Sequence, residues 1–272
     1  MTRQALIALL SALCLTAGPA PAKAAGAELV SVNTPRGVKQ AFILIKPDKP
    51  VASVILFAGG HGGLGLKSAS DMKWGKGNFL VRTREKFAAE GLMVAVIDSP
   101  SDQPKGMNAI FRMSPQHGAD IGAVAAYLKK QANVPVWVVG TSMGTFSAAE
   151  GAIAGNVDGL VLSSTITRSK PHWKIAKSHS DGVASMPLGK VAVPTLILSH
   201  KNDACDITPA ADAPKLTKAL GKSGRVETVL LDGGSKPESE PCEAKAEHGF
   251  WGIEDKAVAA IATFVKGGGA GR

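Results

Sequence analysis

The sequence predicts an α/β fold, a doubly wound and mainly parallel sheet of about eight strands. Three observations carry this. Short runs rich in Val, Ile, Leu and Phe, such as 52–57 and 92–97, have the continuous apolar character of strands buried on both faces. Helix-forming stretches separate them, the pattern of parallel strands joined by crossover helices. One such run, Val134-Pro-Val-Trp-Val-Val, leads straight into Gly140-Thr141-Ser142-Met143-Gly144 and then into helix-forming sequence. A strand, a sharp turn and a helix in that order lift a serine hydroxyl above the carboxyl end of a sheet.

Taken in order, the chain opens with a leader. Arg3 supplies a positive charge, 5–15 is apolar, and Ala20-Pro-Ala22 and Ala22-Lys-Ala24 are small-x-small cleavage patterns. Residues 1–24 read as a secretory signal peptide. The apolar run is shorter than the ~20 residues that span a bilayer. A soluble periplasmic or secreted protein is therefore expected, with cleavage near Ala24.

Residues 28–266 read as one domain. Strands are expected at 28–32 and 38–46 around the turn Thr34-Pro-Arg-Gly37, then at 52–57. The third ends in Ala58-Gly59-Gly60-His61-Gly62-Gly63-Leu64-Gly65, a run that lets backbone approach a ligand closely. A helix over 78–90 stops at Gly91, and a strand follows at 92–97. After a looser stretch, 101–113, Ser114-Pro115 opens a helix to about Gln131, with Ser as cap and Pro in the first turn. The central strand and its helix come next. Strands at 159–165, 195–200 and 226–231 and helices at 209–220 and 253–265 complete the pattern. Residues 267–272 read as a disordered tail.

Charge and cysteines narrow the function. The formal net charge is +9 at pH 7, but no Lys/Arg block with interleaved aromatics occurs, which argues against a nucleic-acid partner. Cys14 lies in the leader, leaving Cys205 and Cys242. An even pair in an oxidising compartment points to a disulfide. The glycine run lacks the order of a phosphate-binding loop, and no helix follows it directly as a dinucleotide fingerprint requires. No His/Asp/Glu cluster has metal-ligand spacing, so neither a metal nor a cofactor is expected.

A serine hydroxyl needs a base, and the base needs an orienting acid. Both stand downstream at strand ends: His200-Lys-Asn-Asp203-Ala-Cys-Asp206-Ile-Thr-Pro209, and Glu247-His248-Gly249. The order is Ser142, Asp203, His248. Asp206 competes with Asp203 as the acid, and Asp98 and Asp232 also sit at strand ends. His117 and His200 read as structural, while His172 and His179 lie in the irregular stretch as candidates for a substrate contact.

On these motifs the sequence resembles the α/β-hydrolase superfamily over about 38–265, in which nucleophile, acid and histidine follow in this order. The acid turn is similar to that of dienelactone-hydrolase-like and small esterase members, although many of that branch carry Cys where Ser142 stands. The resemblance implies Ser142 as nucleophile, His248 as general base and then acid, and Asp203 as orienting carboxylate. It also implies an oxyanion hole made by the Met143 N–H and a donor from the glycine run. That donor is Gly60 or His61 if the run is read from the strand end, and Gly63 if read from His61-Gly62.

The superfamily's lid falls at about 168–193. Here it is short and basic, with Arg168, Lys170, Lys174, Lys177 and Lys190 against Asp181. Trp173, Ile175 and Met186 are its apolar groups. It implies an open pocket for a small-molecule ester or acyl substrate. Two other readings stay open: a prolyl-oligopeptidase-like peptidase, and a non-catalytic binding protein on the same fold.

Overall fold

The structure is a computed structural model and describes residues 26–268. The leader lies outside the described residues, as do residues 269–272. Eight strands form one sheet: β1 (Glu28–Asn33), β2 (Lys39–Ile45), β3 (Ala52–Phe57), β4 (Leu92–Ile97), β5 (Val136–Ser142), β6 (Gly159–Thr165), β7 (Thr195–His200) and β8 (Val226–Leu231). Their spatial order is β1-β2-β4-β3-β5-β6-β7-β8. β1 and β2 form an antiparallel hairpin, β2 is antiparallel to β4, and the pairings from β4 to β8 are parallel.

Period-two alternation builds the core. In β5, Val136 and Val138 point into one apolar cluster, while Trp137 and Val139 point into the other. The first cluster is covered by α3 (Ala109–Arg112), α4 (Pro115–Gln131), α5 (Gly144–Ile153) and α6 (Ala213–Ala219). The second is covered by α1 (Phe79–Arg82), α2 (Arg84–Ala89) and α7 (Glu254–Gly268). The Trp137 indole fills the space where a Cβ on Gly159 of the neighbouring strand would stand, so glycine there admits the largest fully buried side chain.

Four elements differ from the sequence reading. The helix expected over 78–90 is two short helices. At the break, the Thr83 hydroxyl donates to the Phe79 carbonyl at 2.7 Å, beside the Thr83 N–H at 3.2 Å. The looser stretch 101–113 contains α3, capped by Asn108, whose Oδ1 accepts from the Phe111 N–H at 3.0 Å. The helix expected over 209–220 begins as a 3₁₀ turn, Ala210–Asp212, before α6. α7 extends to Gly268, so 267 and 268, read as the start of the tail, are helical.

Candidate active site

Ser142 ends β5 with φ +53°, a left-handed conformation that costs a non-glycine residue ~1–3 kcal/mol. The surrounding glycines permit this turn. A Cβ on Gly140 would overlap the Gly144 carbonyl, and one on Gly144 would overlap the Phe57 carbonyl at the end of β3. The β5–β6 register shifts between Thr141 and Ser142, so the strand leaves the sheet at the serine. α5 starts at once, with Met143 as its cap residue.

His248 lies in the 3₁₀ turn Glu247–Gly249 between β8 and α7 and is buried. The backbone around it is held at several points. Ser164 Oγ donates to the His248 carbonyl at 2.8 Å, and Arg82 Nη2 donates to the Gly249 carbonyl at 2.7 Å. Arg82 is itself paired with Glu254 at 2.9 Å. Phe250, fully buried, takes φ +56° to reverse the chain into α7.

The Asp203 side chain is fully shielded from solvent, and its Oδ2 stands 3.1 Å from His248 Nδ1. Its other oxygen accepts from the Cys205 N–H at 3.0 Å. Thr208 completes the arrangement, its Oγ1 donating to Asp203 Oδ2 at 2.9 Å and lying 3.1 Å from His248 Nδ1. Nδ1 therefore faces two oxygens, which favours the tautomer protonated there and leaves Nε2 as the acceptor. Nε2 is buried and makes no hydrogen bond among the described residues.

Asp206 is exposed, and Asp232 lies 3.8 Å from Lys201 on the surface. Asp98 is buried and accepts four backbone N–H bonds, from Leu64 (2.6 Å), Gly65 (3.2 Å), Leu66 (2.9 Å) and Ser99 (2.7 Å). It thereby ties down the far end of the glycine run. His200 donates from Nε2 to the Gly233 carbonyl at 2.9 Å and accepts from the Asn202 N–H at 3.0 Å, a structural arrangement.

At its near end, the glycine run lies against the serine. A Cβ on Gly59 would stand 3.0 Å from Ser142 Cβ. Gly60, at φ +56°, lines the same cleft as Ser142. The Gly63 N–H is spent on His61 Nδ1 at 3.1 Å. The His61 ring stacks on Trp74, with centroids 4.0 Å apart. The N–H groups of Gly60 and Met143 have no partner among the described residues.

Cys205 and Cys242 form a disulfide. It joins the turn that carries Asp203 to the loop that leads to His248. The cleft itself measures about 420 Å³, the scale of a small-molecule site, and Ser142, His248, Gly60, Trp74, Asn78 and Glu243 are among its walls. A second hollow of about 330 Å³ opens beside Met143, between Ala109 and Ile110 of α3 and His172 to Ile175 of the segment 168–193. That segment is less of a solvated basic loop than its composition implies. Ile175, Val183, Met186, Leu188 and Val191 are buried in the core, and Arg168 is paired with Asp212 at 2.9 Å. Two trios of potential metal ligands occur among the described residues, Asp203–Cys205–His248 and Cys205–Asp206–Cys242. Each depends on a cysteine sulfur already committed to the disulfide.

Sequence reasoning missed Asp98 as a loop anchor, and also Thr208, Ser164 and Arg112. Thr208 had one signal, its place five residues after Asp203 in the acid turn.

No family model matches the chain, and no curated protein matches it by sequence. Solved structures do match. An esterase of Pyrococcus furiosus superposes with a TM-score of 0.63 at 14% identity, over 90% of this chain and 92% of that one. An alpha-beta serine hydrolase homologue from Coxiella burnetii gives 0.58 at 18%, over 87% and 96%. A dienelactone hydrolase from Anabaena variabilis gives 0.57 at 14%, over 89% and 95%. With its eight-stranded, mostly parallel open sheet and interspersed helices, the chain has the α/β-hydrolase fold.

Proposed function

We propose that this chain is an exported serine hydrolase that cleaves a carboxylic ester or related acyl bond of a small molecule, without metal or cofactor. One observation carries the reading. Ser142 is held in a strained turn on the same cleft as a buried His248 Nε2 that has no partner, while the other ring nitrogen faces Asp203. The strain is stored where a nucleophile needs to project, and the free nitrogen is where a proton acceptor needs to be.

In this reading His248 Nε2 takes the Ser142 hydroxyl proton as Oγ attacks the acyl carbon. The tetrahedral oxyanion accepts hydrogen bonds from the Met143 N–H and from the glycine run, at Gly60 or His61. Collapse expels the alcohol, which leaves with the proton from His248, and an acyl-enzyme remains. Water then gives a proton to His248 and its oxygen to the acyl carbon; a second collapse releases the acid and restores Ser142. Asp203 holds the imidazole and stabilises its charged form, and Thr208 holds Asp203. The esterases and hydrolases among the structural neighbours support the same class of chemistry.

The short lid and the two modest hollows support a preference for short or anionic acyl groups over long lipid chains. Lys174 and His172 stand at the second hollow. The test is a kcat/KM series on p-nitrophenyl esters of increasing chain length, with peptides alongside. Highest kcat/KM on short esters is expected. A maximum on long chains overturns the size preference, and turnover of peptides alone overturns the ester assignment.

A further inference from the structure

Arg112 is fully buried at the end of α3, and no carboxylate among the described residues pairs with it. Its partners are neutral oxygens. Nη1 donates to Ser147 Oγ at 2.8 Å, and Nη2 donates to the carbonyls of Ala58 at 3.3 Å and Gly60 at 3.2 Å. Nε has no partner. Burial pushes the guanidinium down to about 9, so it remains charged at neutral pH. Burial, and then the Arg112 charge, push the neighbouring His117 down to about 3, so that ring stays neutral and supplies no counter-charge. A buried cation held only by neutral groups is costly, and a fold retains one only where something offsets that cost.

The two carbonyls it holds bracket the Gly59–Gly60 peptide beside Ser142. A trans peptide sets its N–H opposite its C=O. Drawing the Ala58 and Gly60 carbonyls toward the guanidinium therefore turns the Gly59 and His61 N–H groups away from it, and leaves the Gly60 N–H between two fixed planes. The sequence makes room for this. A Cβ on Gly62 would overlap Arg112 Nη2, so the third glycine of the run is a seat for the guanidinium. Asp98 anchors the far end of the same run by accepting from its backbone N–H groups.

We propose that Arg112 is the positioning residue of the oxyanion loop: it fixes the peptides that face Ser142 and supplies the buried positive charge that the transition-state oxyanion completes. This rests on the serine-hydrolase reading above. On the Ser142 side of the loop, negative charge develops as the tetrahedral intermediate forms, which is when stabilisation accelerates the reaction.

The experiment compares the wild type with Arg112→Met, Arg112→Lys and Ser147→Ala. Readouts are kcat and KM on a short p-nitrophenyl ester, Ki for a boronic acid whose serine adduct mimics the oxyanion, and Tm. Arg112→Met is expected to lower kcat by ~100-fold or more, the cost of losing an oxyanion donor, with KM little changed. Ki is expected to rise by a similar factor, and Tm to hold or rise because a lone buried charge is gone. Arg112→Lys recovers part of the activity, since an ammonium keeps the charge without the fork. Ser147→Ala is the milder variant for the case in which Arg112→Met does not fold, and it lowers kcat and raises Ki together by ~10-fold. Unchanged kcat and Ki in the folded variants overturns the proposal, as does a loss of Tm with kcat preserved at lower temperature. A wild type that neither turns over esters nor binds the boronate overturns the hydrolase reading beneath it.

Discussion

The hydroxyl of Ser164 holds the carbonyl of His248, 2.8 Å away, and so joins the end of β6 to the turn that carries the histidine. Ser164 adopts φ +41° to make this contact. With Asp203 and Thr208 on Nδ1, His248 is secured at both backbone and ring. Ser164→Ala removes the backbone anchor alone. We expect kcat to fall by ~10-fold, below the ~100-fold cost of a 1 Å misplacement, with KM little changed. Steady-state kinetics on a short ester checks it.

Asp203→Asn is expected to cost up to ~10⁴-fold in kcat, because an amide favours the wrong imidazole tautomer. Asp206→Asn, on an exposed side chain, should leave kcat within about twofold. Parallel kinetics of the two variants decides between the carboxylates, and a larger loss at Asp206 contradicts the assignment.

The disulfide spans a sequence separation of 37 and ties the acid turn to the histidine loop. The chain-entropy model gives it about 4 kcal/mol, an upper-end value. The double variant Cys205→Ser/Cys242→Ser should therefore lose several degrees of Tm and also kcat, since the loops it joins bear Asp203 and His248. Calorimetry and kinetics check both effects. Mass spectrometry of the protein from the oxidising compartment should show the bridge intact on a chain that begins near Ala25.

Glu150 of α5 is buried, and burial raises its carboxyl to about 7 against an attraction to Lys190 that lowers it. Between its ordinary value of 4.5 and 7, the folded state holds a proton that the unfolded state releases. Its contribution to stability is fully present below 4.5 and is lost as the pH rises through 7. Glu150→Gln should raise Tm at pH 8 and change it little at pH 4.5. Thermal melts of both proteins at the two pH values measure the difference.

Much of the scaffold was legible because buried parallel strands leave continuous β-branched runs. β3 and β4 stand on such runs, the edge strands β1 and β8 are largely exposed, and Ser142, Asp203 and His248 each close or follow a strand, with Ser142 and His248 lining one cleft and Asp203 on the His248 ring. The supporting groups were not legible, for a physical reason. Asp98 and Arg112 act on backbone N–H and C=O groups of a loop distant in sequence, and such bonds impose no side-chain pattern. The glycine run announced a close approach but not what approaches it, since Arg112 lies in a stretch without periodicity. Thr83 breaks a helix that its neighbours favour, a local competition that composition hides.

Everything proposed for this site depends on Ser142 being the nucleophile. The most direct measurement is intact and peptide mass spectrometry after reaction with a fluorophosphonate, on the wild type and on Ser142→Ala. A single phosphonyl adduct on Ser142 is expected, absent from the variant, with ester turnover lost in step while the variant's Tm stays near the wild-type value. Turnover retained by a folded Ser142→Ala, or an adduct on another residue that tracks with activity, would contradict it.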